Sequence, residues 1–159
     1  MSTTKLSSDT ARILRHLVAT IAYRSSRSLR DAPANLESIR LADSGLTARE
    51  LVLHMTNVLA FAMATVTGKE RVRYEALGWY QDVERFYSLL GALDTELTKG
   101  AVIEEGMDLK LVQGPLADAL THIGQLHAMR RKAGAPVTPV SYIKADVHAG
   151  RTALQDQGD

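Results

Sequence analysis

Two histidines and an aspartate crowd the stretch QGPLADALTHIGQLHAMRRKAGAP, which begins at residue 113. Asp118 and His122 are four residues apart, so on a helix they lie one above the other on the same face. A third candidate, His54, stands in the apolar run LVLHMTNVLAFAMATV, at an inward position of its helical pattern. Helix bundles build metal sites from such side chains on facing helices. One carboxylate and two imidazoles would suit zinc, nickel or ferrous iron, with positions left open for water or substrate.

Plainer readings compete with this one. An inward histidine such as His54 is more often a hydrogen-bonded core residue, and Asp118 lies near a helix N-terminus, where the dipole favours a carboxylate anyway. Leu116, Ala119, Leu120 and Ile123 define the apolar face of that helix, with His127 near its middle and Asp118 and His122 on its flank. Periodicity therefore makes His127 the more buried histidine. It follows His122 by five residues, about 140° around the helix, and cannot easily share one ion with it. Asn57 and Gln125 are the polar groups best placed to orient a bound ligand, and no acid or base is assignable.

Four periodic segments must position these residues. The patterns predict helices near 8–31, 47–67, 75–99 and 115–133. Asp31-Ala32-Pro33 ends the first, because the residue before proline is pushed out of the helical region. Thr47-Ala48-Arg49-Glu50 opens the second as a capping box. The third carries Trp79, Val83, Phe86, Leu90, Leu93 and Leu97 at alternating steps of four and three. The fourth starts with Pro115 at its first position and ends at Gly134. Residues 101–114 show some strand-like alternation but no partner strand, and read as an ordered loop. The expectation is an all-α four-helix bundle, one domain over residues 1–159, with a tail disordered from about 150.

Composition bounds the function. The 19 basic and 18 acidic side chains nearly cancel, which argues against nucleic acid or an anionic membrane as the main partner. Cysteine is absent, so the chain offers no thiolate ligand and no thiol nucleophile of its own. The polar N-terminus and the length of the longest apolar run lead to the expectation of a cytoplasmic protein.

The segments LTARELVLHM, QGPLADALTH, HIGQL and RRKAGAP, together with TIAYRSSRSLRDAP in the first helix, resemble the DinB-like (damage-inducible protein B) superfamily over nearly the whole chain. The resemblance implies an up-down-down-up bundle with a long crossover. It also implies a divalent metal held by a second-helix histidine, here His54, and by two fourth-helix residues four apart, here Asp118 and His122. The usual pattern has histidine where this chain has Asp118; carboxylate changes the charge and softness of the site and favours weaker or no occupancy.

The activity implied is that of a metal-dependent enzyme acting on a small molecule: a thiol S-transferase or isomerase with a low-molecular-weight thiol as cosubstrate. The alternative is a non-catalytic small-molecule-binding or stress-response bundle that has lost the metal. Relatives often pair, and Leu59, Phe61, Tyr87 and Leu89, read as outward and apolar, would form the patch of a homodimer.

Overall fold

Start and stop signals written in the sequence set the helices of the computed structural model, which describes residues 2–157. Helix α1 spans Ser8–Leu29. The Ser7 hydroxyl accepts from the Thr10 N–H at 3.1 Å, and Asp9 adds negative charge at the positive end of the dipole. Asp31, with φ of 48°, turns the chain ahead of Pro33. Helix α2 spans Ala48–Thr67 and carries the expected capping box: Glu50 N–H donates to Thr47 Oγ1 at 3.1 Å, and Thr47 N–H to Glu50 Oε2 at 2.8 Å. Gly68 ends it in the left-handed region, with φ of 66°, which glycine adopts without a Cβ penalty.

Helix α3 spans Trp79–Thr98, four residues shorter at its start than its pattern predicts. Tertiary contacts override propensity there. Residues 69–78 instead form an extended strap, held by side chains of both α2 and α3. Asn57 on α2 grips Tyr74 by both backbone groups, accepting from its N–H at 2.8 Å and donating to its carbonyl at 3.0 Å. Asp82 on α3 accepts from the Leu77 N–H at 3.1 Å, and Arg85 donates to the Glu75 carbonyl at 2.8 Å. Asp82 is fully buried, with Arg85 at 2.7 Å and Arg49 of α2 at 3.6 Å balancing its charge.

The fourth long segment departs further from expectation. A short helix α4, Met107–Leu111, passes through a π-helical turn, Val112–Leu116, into helix α5, Ala117–Lys132. Pro115 lies inside this turn rather than opening a helix. The wide turn accommodates a residue that cannot donate a backbone hydrogen bond, and such turns recur at functional sites.

Helix α1 packs against α3 and α5, and α2 packs against the same two. Leu14, Ile21, Met55, Leu59, Phe86, Leu90, Ile123 and Leu126 fill the interior. Each such side chain contributes about 1.5–3 kcal/mol by leaving water. Polar ties fix the register: Arg15 grips Asp94 through two hydrogen bonds of 2.9 and 3.1 Å, and the Ser25 and Tyr87 hydroxyls meet at 2.8 Å in the core. Burial pushes the Tyr87 phenol above its ordinary value, so it stays a neutral hydrogen-bonding group. Arg130, in the last turn of α5, reaches the end of α1 and donates to the carbonyls of Ser28 at 2.8 Å and Arg30 at 2.6 Å. By length and composition α2 is the one helix among the described residues that is apolar enough to cross a bilayer; here it is packed between α3 and α5.

Three further expectations are corrected. Val102–Glu104 (β2) has a partner after all, pairing antiparallel with Thr3–Lys5 (β1). A three-residue strand at the chain's start is too short to announce itself by alternation. The tail beyond Gly150 is ordered as far as it is described: Thr152 and Gln157 are buried, and Arg30 donates to the carbonyls of Leu154 and Gln157. Any disorder at 158–159 lies outside the described residues. Leu59, Tyr87 and Leu89 are buried within the monomer, so of the supposed dimer patch only Phe61 is exposed. Leu89 faces the strap, whose Val72 and Tyr74 line the same recess.

Candidate metal centre

The capping box sets the rotation and start of α2 and so fixes where His54 emerges, two turns into the helix. The π-helical turn sets the start of α5, so Asp118 falls in its first turn and His122 one turn later. These helices face one another, and the three side chains converge, with one ligand atom from each lying within 4.8 Å of the others.

The Asp118 carboxylate approaches Nε2 of each ring with a different oxygen. Its Oδ2 is 3.4 Å from His54 Nε2, and its Oδ1 is 3.4 Å from His122 Nε2. The rings stand edge to face, 4.7 Å apart at 89°. Donor atoms held ~2.0–2.1 Å from one tetrahedral ion are ~3.3 Å from each other. The two carboxylate–imidazole separations of 3.4 Å are close to this, each to a different Asp118 oxygen, and one atom from each residue lies within 4.8 Å of the others. The donor set fits a borderline ion such as zinc, nickel or ferrous iron.

Gln125 completes the fit. The His122 Nδ1–H donates to Gln125 Oε1 at 2.8 Å, so that in the neutral ring Nε2 is the nitrogen with a free lone pair, and it faces Asp118. A histidine that ligates metal through one nitrogen commonly donates the other to such an acceptor. Gln125, expected to orient a ligand, orients His122 instead. Asn57, the other candidate, is committed at both ends of its amide to Tyr74 and holds the strap.

His54 is not the inward residue that its periodicity implies. Its side chain is 43% exposed, against 42% for Asp118 and 17% for His122, so the centre lies on the bundle's flank. Two clefts open beside it. One, of about 460 Å³, is lined by Val58, Phe61, Arg71, Pro115, Asp118 and Thr121. The other, of about 580 Å³, is lined by Glu50, Leu53, His54, Asn57, Arg71 and Arg73. Both volumes lie within the range of small-molecule sites. The cleft arginines escape a reading tuned to helical periods. Their signal is the alternation of Arg71-Val72-Arg73-Tyr74, whose period of two marks an extended segment.

His127 stays outside the centre, as its place on the wheel implies. Its Nε2–H donates to the Arg24 carbonyl at 3.1 Å. Burial lowers its pKa from the ordinary histidine value, against the opposing effect of that hydrogen bond; the nearby charges of Arg27, Arg24 and Arg131 lower it further. It is a neutral imidazole tying α5 to α1. Compared with family models, with curated proteins and with solved structures, the chain returns no match.

Proposed function

We propose that this chain is a DinB-like, metal-dependent bundle in which His54, Asp118 and His122 hold one divalent ion and a small molecule reacts in the adjoining clefts. The observation that carries this reading is the convergence of three ligand atoms from two helices, with Gln125 fixing one imidazole. The pairings between helices support an up-down-down-up order. Arg15 and Ser25 of α1 meet Asp94 and Tyr87 of α3, so position rises in one helix as it falls in the other. Arg24 and Ser28 of α1 meet His127 and Arg130 of α5, rising together. Arg49 of α2 meets Asp82 of α3, and Ala60 and Met63 share a recess with Leu89 and Glu96, again rising together. Parallel α2 and α3 need a long return, and an extended chain of ~3.3–3.6 Å per residue makes the 69–78 strap long enough to supply it.

When bound, a divalent ion would act as a Lewis acid and favour the deprotonated form of an incoming water or thiol. The chain's own groups do the rest. Asp118 supplies one negative charge that offsets the ion, and Gln125 keeps His122 in the ligating tautomer. Phe61, Val58 and Pro115 give the first cleft an apolar wall. Because the chain has no cysteine, a thiol-transfer reaction would draw its sulfur nucleophile from a small cosubstrate.

Titration of tag-free protein with cobalt(II) tests the reading. Visible bands of four- or five-coordinate cobalt should saturate at about one equivalent, and His54→Ala should abolish them. A spectrum identical to aqueous cobalt contradicts it. Asp118 itself favours a second reading, in which its carboxylate pairs with two imidazoles when they are protonated and the bundle only binds small molecules. In that case acid, rather than metal, would organise the cluster.

A further inference from the structure

We infer that Arg71 and Arg73, carried on the strap, form an anion subsite beside the metal centre that selects a small substrate bearing a carboxylate. This deepens the proposed function and rests on that reading for the substrate's other end.

Three observations carry the subsite. First, both arginines line the cleft that contains His54, and Arg71 also lines the cleft that contains Asp118. In an extended segment, residues two apart point the same way, so Arg71 and Arg73 share one side while Val72 and Tyr74 turn to the recess beside Leu89.

Second, neither guanidinium is neutralised by an acid. Arg71 donates to the Asn57 carbonyl at 2.8 Å and stands over the Phe61 ring at 5.8 Å; Arg73 makes no hydrogen bond or ion pair among the described residues. Arg15 and Arg85, by contrast, are paired with Asp94 and Asp82. The one acid lining the second cleft, Glu50, is already engaged by the Thr47 N–H at 2.8 Å and by Arg40 at 3.7 Å.

Third, the position is fixed. Asn57 holds Tyr74 from the same helix that carries His54, one turn away, so the strap is tied to the helix that carries the metal ligand.

Guanidinium forks match a planar carboxylate through paired hydrogen bonds. Because Glu50 and Asp118 carboxylates also line the clefts, a carboxylate group, with one charge to place on the arginines, suits the local balance better than a phosphate group does. A molecule with its carboxylate on the arginines presents its opposite end to the centre.

Calorimetric titration of succinate into zinc-loaded protein tests this, with succinamide and inorganic phosphate as controls. Succinate should bind, and succinamide should bind at least tenfold more weakly. Arg73→Gln, an exposed change that leaves the strap's anchors intact, should weaken succinate at least tenfold while zinc content stays the same. Equal binding of succinate and succinamide overturns the subsite, as does an Arg73→Gln variant that binds succinate like the wild type. Phosphate binding more tightly than succinate overturns the carboxylate assignment. If the protein takes up no zinc yet its weaker succinate binding still depends on Arg73, the metal reading fails and the anion subsite stands.

Discussion

The Nδ1–H of His122 donates to the side-chain oxygen of Gln125 at 2.8 Å, one turn further along α5. That hydrogen bond decides which imidazole nitrogen is free. It turns Nε2 toward Asp118 and fixes the ring's angle, at no cost to the core, because Gln125 is exposed.

Gln125→Ala should therefore weaken metal binding about 10- to 100-fold, the usual effect of losing such a supporting partner, with little change in folding. Competition against a chromophoric chelator measures this. An unchanged affinity would reduce Gln125 to a surface residue.

Asn57→Ala should free the strap. The two hydrogen bonds to Tyr74 are lost, and that residue's backbone groups must find water instead, a loss of about 1–3 kcal/mol. Urea unfolding gives the magnitude, and amide exchange at Tyr74 gives the location. Faster exchange confined to residues 69–77 is the expected pattern; uniform acceleration would place the role of Asn57 in α2 alone.

The helices were largely legible in the sequence because capping and periodicity are local. Ser7, the Thr47–Glu50 box and Gly68 each work within a few residues. What escaped was non-local. The start of α3 is set by Asn57, Asp82 and Arg85 acting on residues 74–77, and β2 exists because the far N-terminus lies beside it. Pro115 reads as a helix start because nothing local announces a π turn. In the centre, the spacing of Asp118 and His122 and the resemblance pointed to three residues, His54, Asp118 and His122, that do converge, while the roles of Asn57 and Gln125 required knowing what lay opposite them.

His127 gives a pH dependence with a definite sign. Its folded pKa is lowered, chiefly by burial, from an ordinary value of 6.5, so below that pH the unfolded chain binds the proton more readily. The stability carried by neutral His127 is thus complete above about 6.5 and is lost as the pH falls toward the lower folded value. Urea midpoints of metal-free protein at pH 7 and pH 5 should differ more for the wild type than for His127→Gln, which can still donate to the Arg24 carbonyl but cannot titrate. Equal pH sensitivity in the two proteins would contradict the assignment, and the metal content of His127→Gln should match the wild type.

The central claim is that three residues from two helices hold one ion, and metal stoichiometry after exposure to zinc and exhaustive dialysis tests it most directly. Tag-free wild-type protein should retain about one zinc per chain and melt at a higher temperature than the metal-free form, because only the folded state brings α2 and α5 together. His122→Ala should retain none and show no such rise. Wild-type protein that dialyses free of zinc, or a His122→Ala variant that keeps it, would contradict the account.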